Sequence, residues 1–349
     1  MERAMPQESF WDRLVIRLRS NLPAVVVLGF TLLLAIAIAI EAGPSQIINS
    51  IVSGGILALL AAGLALVFGV MNIPHFAHGE SFMVGAYVGY FVFTPLNNYV
   101  QENGNAFLAA IAPVIAVIVA AIVGLILGAI LERLIFAPLR HRTRVGWVMN
   151  TFLLTVGLAY IMINGTTLLL GPNFRGIPRY YYIPPIEILN IRIAADRIFA
   201  FVVSVITIIA LTFFMQRTRT GRAIRAVAQD ETGAQLVGID LDFIHTLTFA
   251  LATATAAMAG AALLYMFQAY PTVGLKPLYL SWYMVMLVGL GNVYGAIIGG
   301  FIVALLQTAT QQFIGIAWED VVPTIVMIII LILVPSGIFG SEVKGVQEQ

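Results

Sequence analysis

The uninterrupted apolar run from Leu22 to Ile40 constrains the fold of this chain more than any other feature. It carries no charge, and as a helix it would be about 28 Å long, close to the hydrocarbon thickness of a bilayer. Similar runs recur along the chain, and "GLGNVYG" divides the longest of them into two short spans. The sequence therefore predicts an all-α polytopic membrane protein with about ten transmembrane helices, some of them short or broken. The predicted spans are 22–40, 47–71, 81–94, 106–131, 147–170, 198–215, 244–268, two within 280–313, and 321–334.

The composition agrees with a membrane location. Hydrophobic residues make up 60% of the chain and charged residues only 10%, whereas a soluble domain needs more charge on its surface. The net charge of +1 gives no indication of a nucleic-acid partner, and the absence of cysteine excludes disulfides and thiolate chemistry. The first apolar run is too long for a cleaved signal peptide, so we expect a retained anchor. One transmembrane domain is predicted over 22–340, between a cytoplasmic segment 1–21 and a cytoplasmic tail 341–349.

The arginines predict the orientation of the chain. They cluster before the first span and after the fourth and sixth spans, and these three places lie on one side, which the positive-inside bias makes cytoplasmic. The loops 41–46, 95–105 and 314–320 on the other side carry no Lys or Arg. We therefore expect both termini in the cytoplasm. The clusters are Arg3, Arg13, Arg17 and Arg19; Arg133, Arg140, Arg142 and Arg144; and Arg217, Arg219, Arg222 and Arg225.

The long loop 171–197 departs from this pattern, because it is predicted outside and is nevertheless basic. Long loops cross membranes despite their charge. Two interpretations stay open: the arginines meet an acidic external partner, or they pair locally with Glu187 and Asp196. The arginines concerned are Arg175, Arg179, Arg192 and Arg197.

The stretch "MNIPHFAHGE" predicts a break between the second and third spans. Pro74 lacks an N–H and Gly79 loosens the backbone, and broken backbone at membrane depth must be buried in protein or line a cavity. Glu80 is the main acid in this apolar half of the chain, and intramembrane acids are usually functional. We expect it to accept hydrogen bonds from the broken backbone. The alternative is a surface turn with hydrated histidines, in which Glu80 caps the third helix. The predicted pathway residues here are Asn72, Pro74, His75, His78, Gly79 and Glu80.

Other candidate residues are individually weaker. Asn49 and Ser53, early in the second span, and Gly289, Gly291 and Asn292, in the glycine-rich turn, are candidates for the pathway. The GxxxG spacing that follows this turn is typical of close helix packing. It assigns packing roles to Gly295, Gly299 and Gly300. No metal site is predicted, because His75, His78 and Glu80 lack the spacing of a zinc motif.

The loop 216–243 is polar but patterned. Ile224, Val227 and Ala228 recur at helical spacing, and 235–237 resumes the apolar character. A mixed-charge short helix suits docking in a cleft of another protein; the alternative is a helix lying on the cytoplasmic leaflet. The candidate docking residues are Arg222, Arg225, Asp230, Glu231, Gly233 and Gly238.

Several catalytic motifs are absent. The sequence has no GxxxxGK[ST], GxSxG or HExxH, so the chain is not expected to be an enzyme or to bind a cofactor. If ATP drives transport, ATP and Mg must bind to another chain. Three interpretations remain: a permease of an ATP-driven importer, a self-contained channel or secondary carrier for a small neutral solute, and a membrane enzyme.

Four blocks of the sequence carry a family resemblance. "GLALVFGVMNIPHFAHGESFMVGAY", "RTRTGRAIRAVAQDETGAQLVGID", "GLGNVYGAIIGG" and "LVPSGIFG" resemble, in order over about 50–340, permeases of branched-chain amino acid ABC importers, most similar to their H-type subunit. The resemblance implies an ABC importer permease fold, alternating access driven by ATP, and a location in a bacterial or archaeal cell (inner) membrane. It also implies that Arg222–Gly238 forms the coupling helix that seats in the ATPase.

The resemblance further implies the partners and the solute. We expect two ABC ATPase subunits, an external substrate-binding protein, and either an M-type permease or a second copy of this chain. The expected solute is a branched-chain or other small neutral amino acid. Urea, short amides and aromatic compounds are the alternatives.

Overall fold

The computed structural model describes residues 22–142, 147–188, 191–266 and 268–339. The fold is almost entirely helical, as predicted. The segments 1–21 and 341–349, with Arg3, Arg13, Arg17, Arg19 and Arg144, lie outside the described residues. The helices are α1 Leu22–Glu41, α2 Pro44–Met71, α3 His78–Asn103, α4 Ala106–Leu131, α5 Ala137–Arg142, α6 Trp147–Leu170, α7 Ala195–Arg217, α8 Arg219–Gln229, α9 Glu231–Leu236, α10 Leu241–Ala262, α11 Leu275–Val288, α12 Val293–Phe313 and α13 Val321–Leu333.

The polytopic fold class is confirmed. Eight helices in the described part of the chain are long and apolar enough to cross a membrane. The third predicted span coincides with α3, which is longer and more polar than expected, and the eighth with α11, which has only 14 residues. The fourth span also runs further than predicted, because a π-helical turn at Glu132–Phe136 joins α4 to α5.

Helices α2 and α10 form the centre of the molecule, and most of their residues are buried. Small residues let the neighbouring helices approach them closely. A methyl group at Gly300 of α12 would overlap Ala58 of α2, and one at Gly128 of α4 would overlap Ala250 of α10. By contrast, α1 and α13 bury few of their apolar side chains. This distribution is expected where lipid, rather than water, covers the outer helices.

Side chains define several helix starts. The N-caps Asn105 of α4, Asp240 of α10 and Asn292 of α12 each accept a hydrogen bond from a backbone N–H three residues on, at 2.8–3.1 Å. Such caps satisfy one of the free amides at a helix start. They explain why these helices begin at defined residues within otherwise apolar sequence.

The basic loop after α6 is folded rather than open. It contains a two-stranded antiparallel hairpin, β1 Ile186–Ile188 and β2 Ile191–Ile193. Asp196 accepts hydrogen bonds from the backbone amides of Tyr180 and Tyr181 at 2.7 and 2.9 Å, and burial raises the pKa of Tyr180. Arg192 pairs with Glu187, so local pairing is confirmed for this arginine. Asp196 instead holds the backbone of the loop.

Candidate transport pathway and partner-binding segment

The predicted break between α2 and α3 is present, and Asn72 ends α2. Asn72 adopts a left-handed conformation with φ of 52°, and its N–H donates to the Phe68 carbonyl at 3.0 Å. Asparagine adopts this conformation more readily than most residues do. Pro74 lies two residues further on, outside either helix. The break therefore begins at Asn72, before the chain reaches Pro74, and Pro74 does not itself end the helix.

The residues Asn72–Ala77, here called the re-entrant segment, fold back along α2. The imidazole Nε2 of His78 lies 3.1 Å from the Leu60 carbonyl oxygen. Leu60 is about 16 Å from Met71 along the helix axis. Helix α3 therefore begins beside the middle of α2 rather than beside its end.

The start of α3 meets the start of α11 at two glycines. A methyl group on Gly79 would overlap the carbonyl of Gly274, and one on Gly274 would overlap the backbone of Gly79. Only residues without a side chain allow this approach. Both α3 and the 14-residue α11 consequently begin inside the helix bundle, as the broken helices of transporters do.

The polar side chains of this region are buried. His75 and His78 are 1% and 0% exposed, and the ring of His75 lies 4.7 Å from Phe249 and 6.1 Å from Phe136 between centroids. The alternative of a surface turn with hydrated histidines was therefore wrong. Neither imidazole nitrogen of His75 has a hydrogen-bond partner among the described residues.

Glu80 is also buried, at 1% exposure, in the first turn of α3. Its Oε2 atom has no hydrogen-bond partner within the described ranges. This oxygen does not accept a hydrogen bond from the broken backbone, and Glu80 lies in the first turn of α3, where the capping alternative placed it. Instead, the hydroxyl of Thr155 donates to the Pro74 carbonyl at 3.0 Å and so ties the re-entrant segment to α6.

The glycine-rich turn at 289–292 is unwound, as predicted. Gly289 and Gly291 have positive φ of 107° and 80°, which favours glycine. Gly291 packs on the backbone of Gly69 near the end of α2. Asn292 caps α12, and its Nδ2 donates to the Phe339 carbonyl at 3.1 Å. The structure thus gives Asn292 a local structural contact, and a direct role in the pathway stays a prediction.

The other pathway and packing candidates fall in different places. Nη1 of Arg197 donates to Oδ1 of Asn49 at 2.5 Å, and Ser53 is half-buried one turn further along α2. Gly300 packs against α2, as expected for a packing residue. Gly299 packs against Val288 and Met284 of α11, and Gly295 lies against Asn292 and Val288 in the same α11–α12 hairpin.

The predicted docking loop forms two short helices rather than one. Helices α8 and α9 are separated at Asp230, and Thr218 caps α8 by accepting from the Gly221 amide at 2.9 Å. Ile224 and Val227 are buried, as the periodicity predicted, but Ala228 is exposed. The buried face of α8 consists of Gly221, Ile224 and Val227. It shares Ile224 and Val227 with the predicted face but has Gly221 in place of Ala228.

The surface of α8 and α9 carries the candidate docking residues. Leu236 and Val237 are 84% and 78% exposed, although they are large and apolar. We call the residues 230–238 the exposed arm. Gly238 ends it with φ of 85°, and Gly233 lies against the Asp230 carboxylate. Arg222 donates to the Arg217 carbonyl at 3.3 Å, and Nε of the half-buried Arg225 has no partner among the described residues.

A polar network missed by the sequence analysis lies beside the exposed arm. Arg140 pairs with the fully buried Glu132 at 2.9 Å and with Asp242 at 2.7 Å. Glu231 lies 3.8 Å from the buried His245 of α10, and partial burial raises the pKa of Glu231 while Arg140 opposes that shift. In the sequence, Glu132 and Arg140 stand just after the predicted span 106–131 and were the available sign of this network. Their partners come from α10, about a hundred residues later.

These features define a multi-pass membrane permease with a broken, re-entrant helix and an exposed arm. A family model described as "Branched-chain amino acid transport system / permease component" matches residues 46–331. The chain therefore belongs to that permease family.

Individual relatives agree with this assignment. The chain is 28% identical to the high-affinity branched-chain amino acid transport system permease protein LivH of Escherichia coli (strain K12), over 86% of this chain and 97% of the relative. It is equally similar, with the same coverage, to BraD of Pseudomonas aeruginosa, which bears the same description. It is 26% identical to a probable LivH of Methanocaldococcus jannaschii, over 85% and 92%. No solved structure matches the chain.

Proposed function

We propose that this chain is the membrane-spanning permease subunit of an ABC importer for branched-chain or other small neutral amino acids. The re-entrant segment carries the proposal, because it brings broken backbone and buried polar groups into the middle of the bundle. Such features cost stability and are characteristic of transport pathways. LivH of Escherichia coli and BraD of Pseudomonas aeruginosa belong to branched-chain amino acid transport systems, which supports the same class of solute.

The chain works with partners in this proposal. Two ABC ATPase subunits bind ATP and Mg, an external binding protein delivers the solute, and a second permease of M type or a second copy of this chain completes the pathway. The exposed arm supplies the contact with an ATPase: Leu236 and Val237 offer apolar area, and Asp230 and Glu231 offer charge. Closure of the ATPases moves the exposed arm, and the pathway opens alternately to the two sides.

The exposed arm has to lie in the cytoplasm, where ATP is available, in an inner membrane. The arginine clusters support this orientation. Cysteines introduced at the exposed positions Arg142 and Asn103 test it, and the chain has no native cysteine to interfere. We expect an impermeant maleimide to label Arg142→Cys only from the inside and Asn103→Cys only from the outside. The opposite labelling would overturn the orientation.

The transport activity is tested by uptake into proteoliposomes that contain the complex and its co-purified ATPases. We expect leucine uptake that requires ATP on the side of the proteoliposome membrane where the ATPases lie. This uptake should stop when the ATPases are absent. Uptake of leucine by this chain alone, without nucleotide, would instead support a channel or a secondary carrier.

A further inference from the structure

Three buried rings meet where the π-helical turn, α10 and the re-entrant segment come together. The ring of Phe136, at the end of the π-helical turn, lies 4.8 Å from that of Phe249 on α10 between centroids. The imidazole of His75 lies 4.7 Å from Phe249 and 6.1 Å from Phe136, and all three residues are at most 1% exposed. Rings at these separations are in contact. We call His75, Phe136 and Phe249 the ring cluster.

The ring cluster includes the middle of the re-entrant segment, because His75 belongs to both. The ring of His75 also lies 5.7 Å from that of His78 at the start of α3, and His78 in turn contacts the Leu60 carbonyl of α2. Ile73 and Ala77, on either side of His75, pack in the same apolar core as the two phenylalanines of the cluster. Close-packed interiors transmit displacement because their compressibility is low. The re-entrant segment therefore cannot stay in place when the ring cluster moves.

The ring cluster is joined to the exposed arm through α10. His245 lies one turn before Phe249 on this helix, and its Nε2 is 3.8 Å from the carboxylate of Glu231 in the arm. Ala234 of the arm is buried in the apolar core that contains Phe136 and Phe249. The arm thus has a polar contact and an apolar contact with the elements that carry the ring cluster.

The π-helical turn is linked to α10 because Arg140 bonds to both. The guanidinium of Arg140 donates to Glu132, the first residue of the turn, at 2.9 Å and to Asp242 of α10 at 2.7 Å. Glu132 is fully buried, and breaking an ion pair of a buried charge is costly. Turns of this kind are rare and are frequently found at functional sites. The two rings that face His75 are therefore carried by one linked pair of elements.

We propose that the ring cluster couples the exposed arm to the re-entrant segment, so that His75, Phe136 and Phe249 are positioning residues of the transport cycle. When an ATPase displaces the arm, α10 and the π-helical turn press Phe249 and Phe136 against His75, and the re-entrant segment shifts within the bundle. This inference rests on the proposed importer function. It assigns the residues through which ATP hydrolysis acts on the pathway, and the two phenylalanines do so without touching the solute.

The test compares two buried phenylalanines. Phe249→Ala removes a ring from the ring cluster, whereas Phe93→Ala removes one from a separate core, where Phe93 lies 4.8 Å from Tyr180 between centroids. Both residues are at most 2% exposed, so both variants should be destabilised to a similar degree. Leucine uptake and ATP hydrolysis are measured on the same reconstituted complex. We expect Phe249→Ala to lower uptake per ATP hydrolysed by about tenfold, and Phe93→Ala to leave it within about twofold.

Milder variants test the same contact if Phe249→Ala does not assemble. Phe249→Leu and Phe136→Leu keep much of the side-chain volume but lose the flat ring that meets His75. Each should lower uptake per ATP by about threefold while ATP hydrolysis continues. The double variant should lose less than the product of the two single losses, because both residues act through one contact.

Unchanged uptake per ATP in those of the three cluster variants that assemble would overturn the ring cluster as the coupling contact and leave the importer function standing. An equal loss in Phe93→Ala and Phe249→Ala would overturn it too, because loss of stability alone would then account for the result. A wild-type complex without ATP-dependent leucine uptake would overturn both the coupling contact and the importer function.

Discussion

The re-entrant segment and the exposed arm depart from ordinary folding rules in opposite ways. At the re-entrant segment and the start of α3, the polar side chains of His75 and Glu80 are buried in an apolar bundle. In the exposed arm, Leu236 and Val237 project from the surface of a polar loop. Burying an unpaired polar group costs roughly 1–3 kcal/mol, and exposing a large apolar side chain forgoes about 1.5–3 kcal/mol.

This difference indicates what each region is for. A buried polar group without a partner is expected where another group, such as a solute or water, occupies the site during part of the cycle. An exposed apolar side chain is expected where another protein covers it. The first region therefore fits the pathway and the second fits the ATPase contact, and the two roles are separable by mutation.

The largest effect is expected from Gly79→Ala. The added methyl group overlaps the Gly274 carbonyl, so α3 and α11 have to separate at the point where they begin. We expect a loss of several kcal/mol of stability and no measurable uptake. Gly157→Ala on α6 is the matched control, because nothing lies within 4 Å of its added methyl. Equal melting temperatures for the two variants would contradict the close contact.

A smaller but selective effect is expected from Glu231→Arg. The new charge faces Arg140, which already influences Glu231 electrostatically, and it cancels the net negative charge of the exposed arm, where Asp230 is the other acid. We expect at least a tenfold loss of co-purified ATPase, of the size found when a charge pair at an interface is broken, with normal membrane insertion. Glu187→Arg, equally exposed in the β-hairpin loop, is the control and should keep the ATPase. Normal co-purification and normal solute-stimulated ATP hydrolysis in Glu231→Arg would contradict the proposal that the exposed arm contacts the ATPase.

The smallest effect is expected from Asn72→Ala, which tests how the re-entrant segment begins. The left-handed conformation of Asn72 costs an ordinary residue about 1–2 kcal/mol, so thermal unfolding should begin at a lower temperature. Asn72→Gly should unfold like the wild type. If Asn72→Ala were as stable as Asn72→Gly, the end of α2 would depend on something other than this backbone conformation.

The spans were predictable from the sequence because a membrane-spanning helix requires about twenty consecutive apolar residues, and such runs are visible in the chain. The run Leu22–Ile40 gave α1, and "GLGNVYG" gave the turn between α11 and α12. The polar α3 and the short α11 were placed less accurately, because protein contacts at Gly79 and Gly274, rather than hydropathy alone, set where they begin. The π-helical turn at Glu132–Phe136 has no signal in composition or spacing.

The candidate site was predictable only in part. The break and its residues were identified from Pro74, Gly79 and Glu80, but the return of the chain to the middle of α2 depends on the contact of His78 with Leu60. The ion pair between Lys276 and Glu319 joins residues more than forty positions apart. Such long-range contacts have no trace in a single sequence. The exposure of Ala228 was missed because helical spacing shows which residues can share a face, but not which of them lie at its centre and which at its edge.

Glu80→Gln tests the central claim most directly, because it replaces the buried carboxyl group at the re-entrant break with an amide of almost the same shape. Uptake of leucine is measured in proteoliposomes and normalised to assembled complex, with co-purified ATPase measured on the same sample. The account predicts normal ATPase co-purification and at least a tenfold loss of uptake per complex, as for a functional intramembrane acid. Wild-type uptake in Glu80→Gln would contradict it and would reduce the re-entrant break to a structural element without a role in transport.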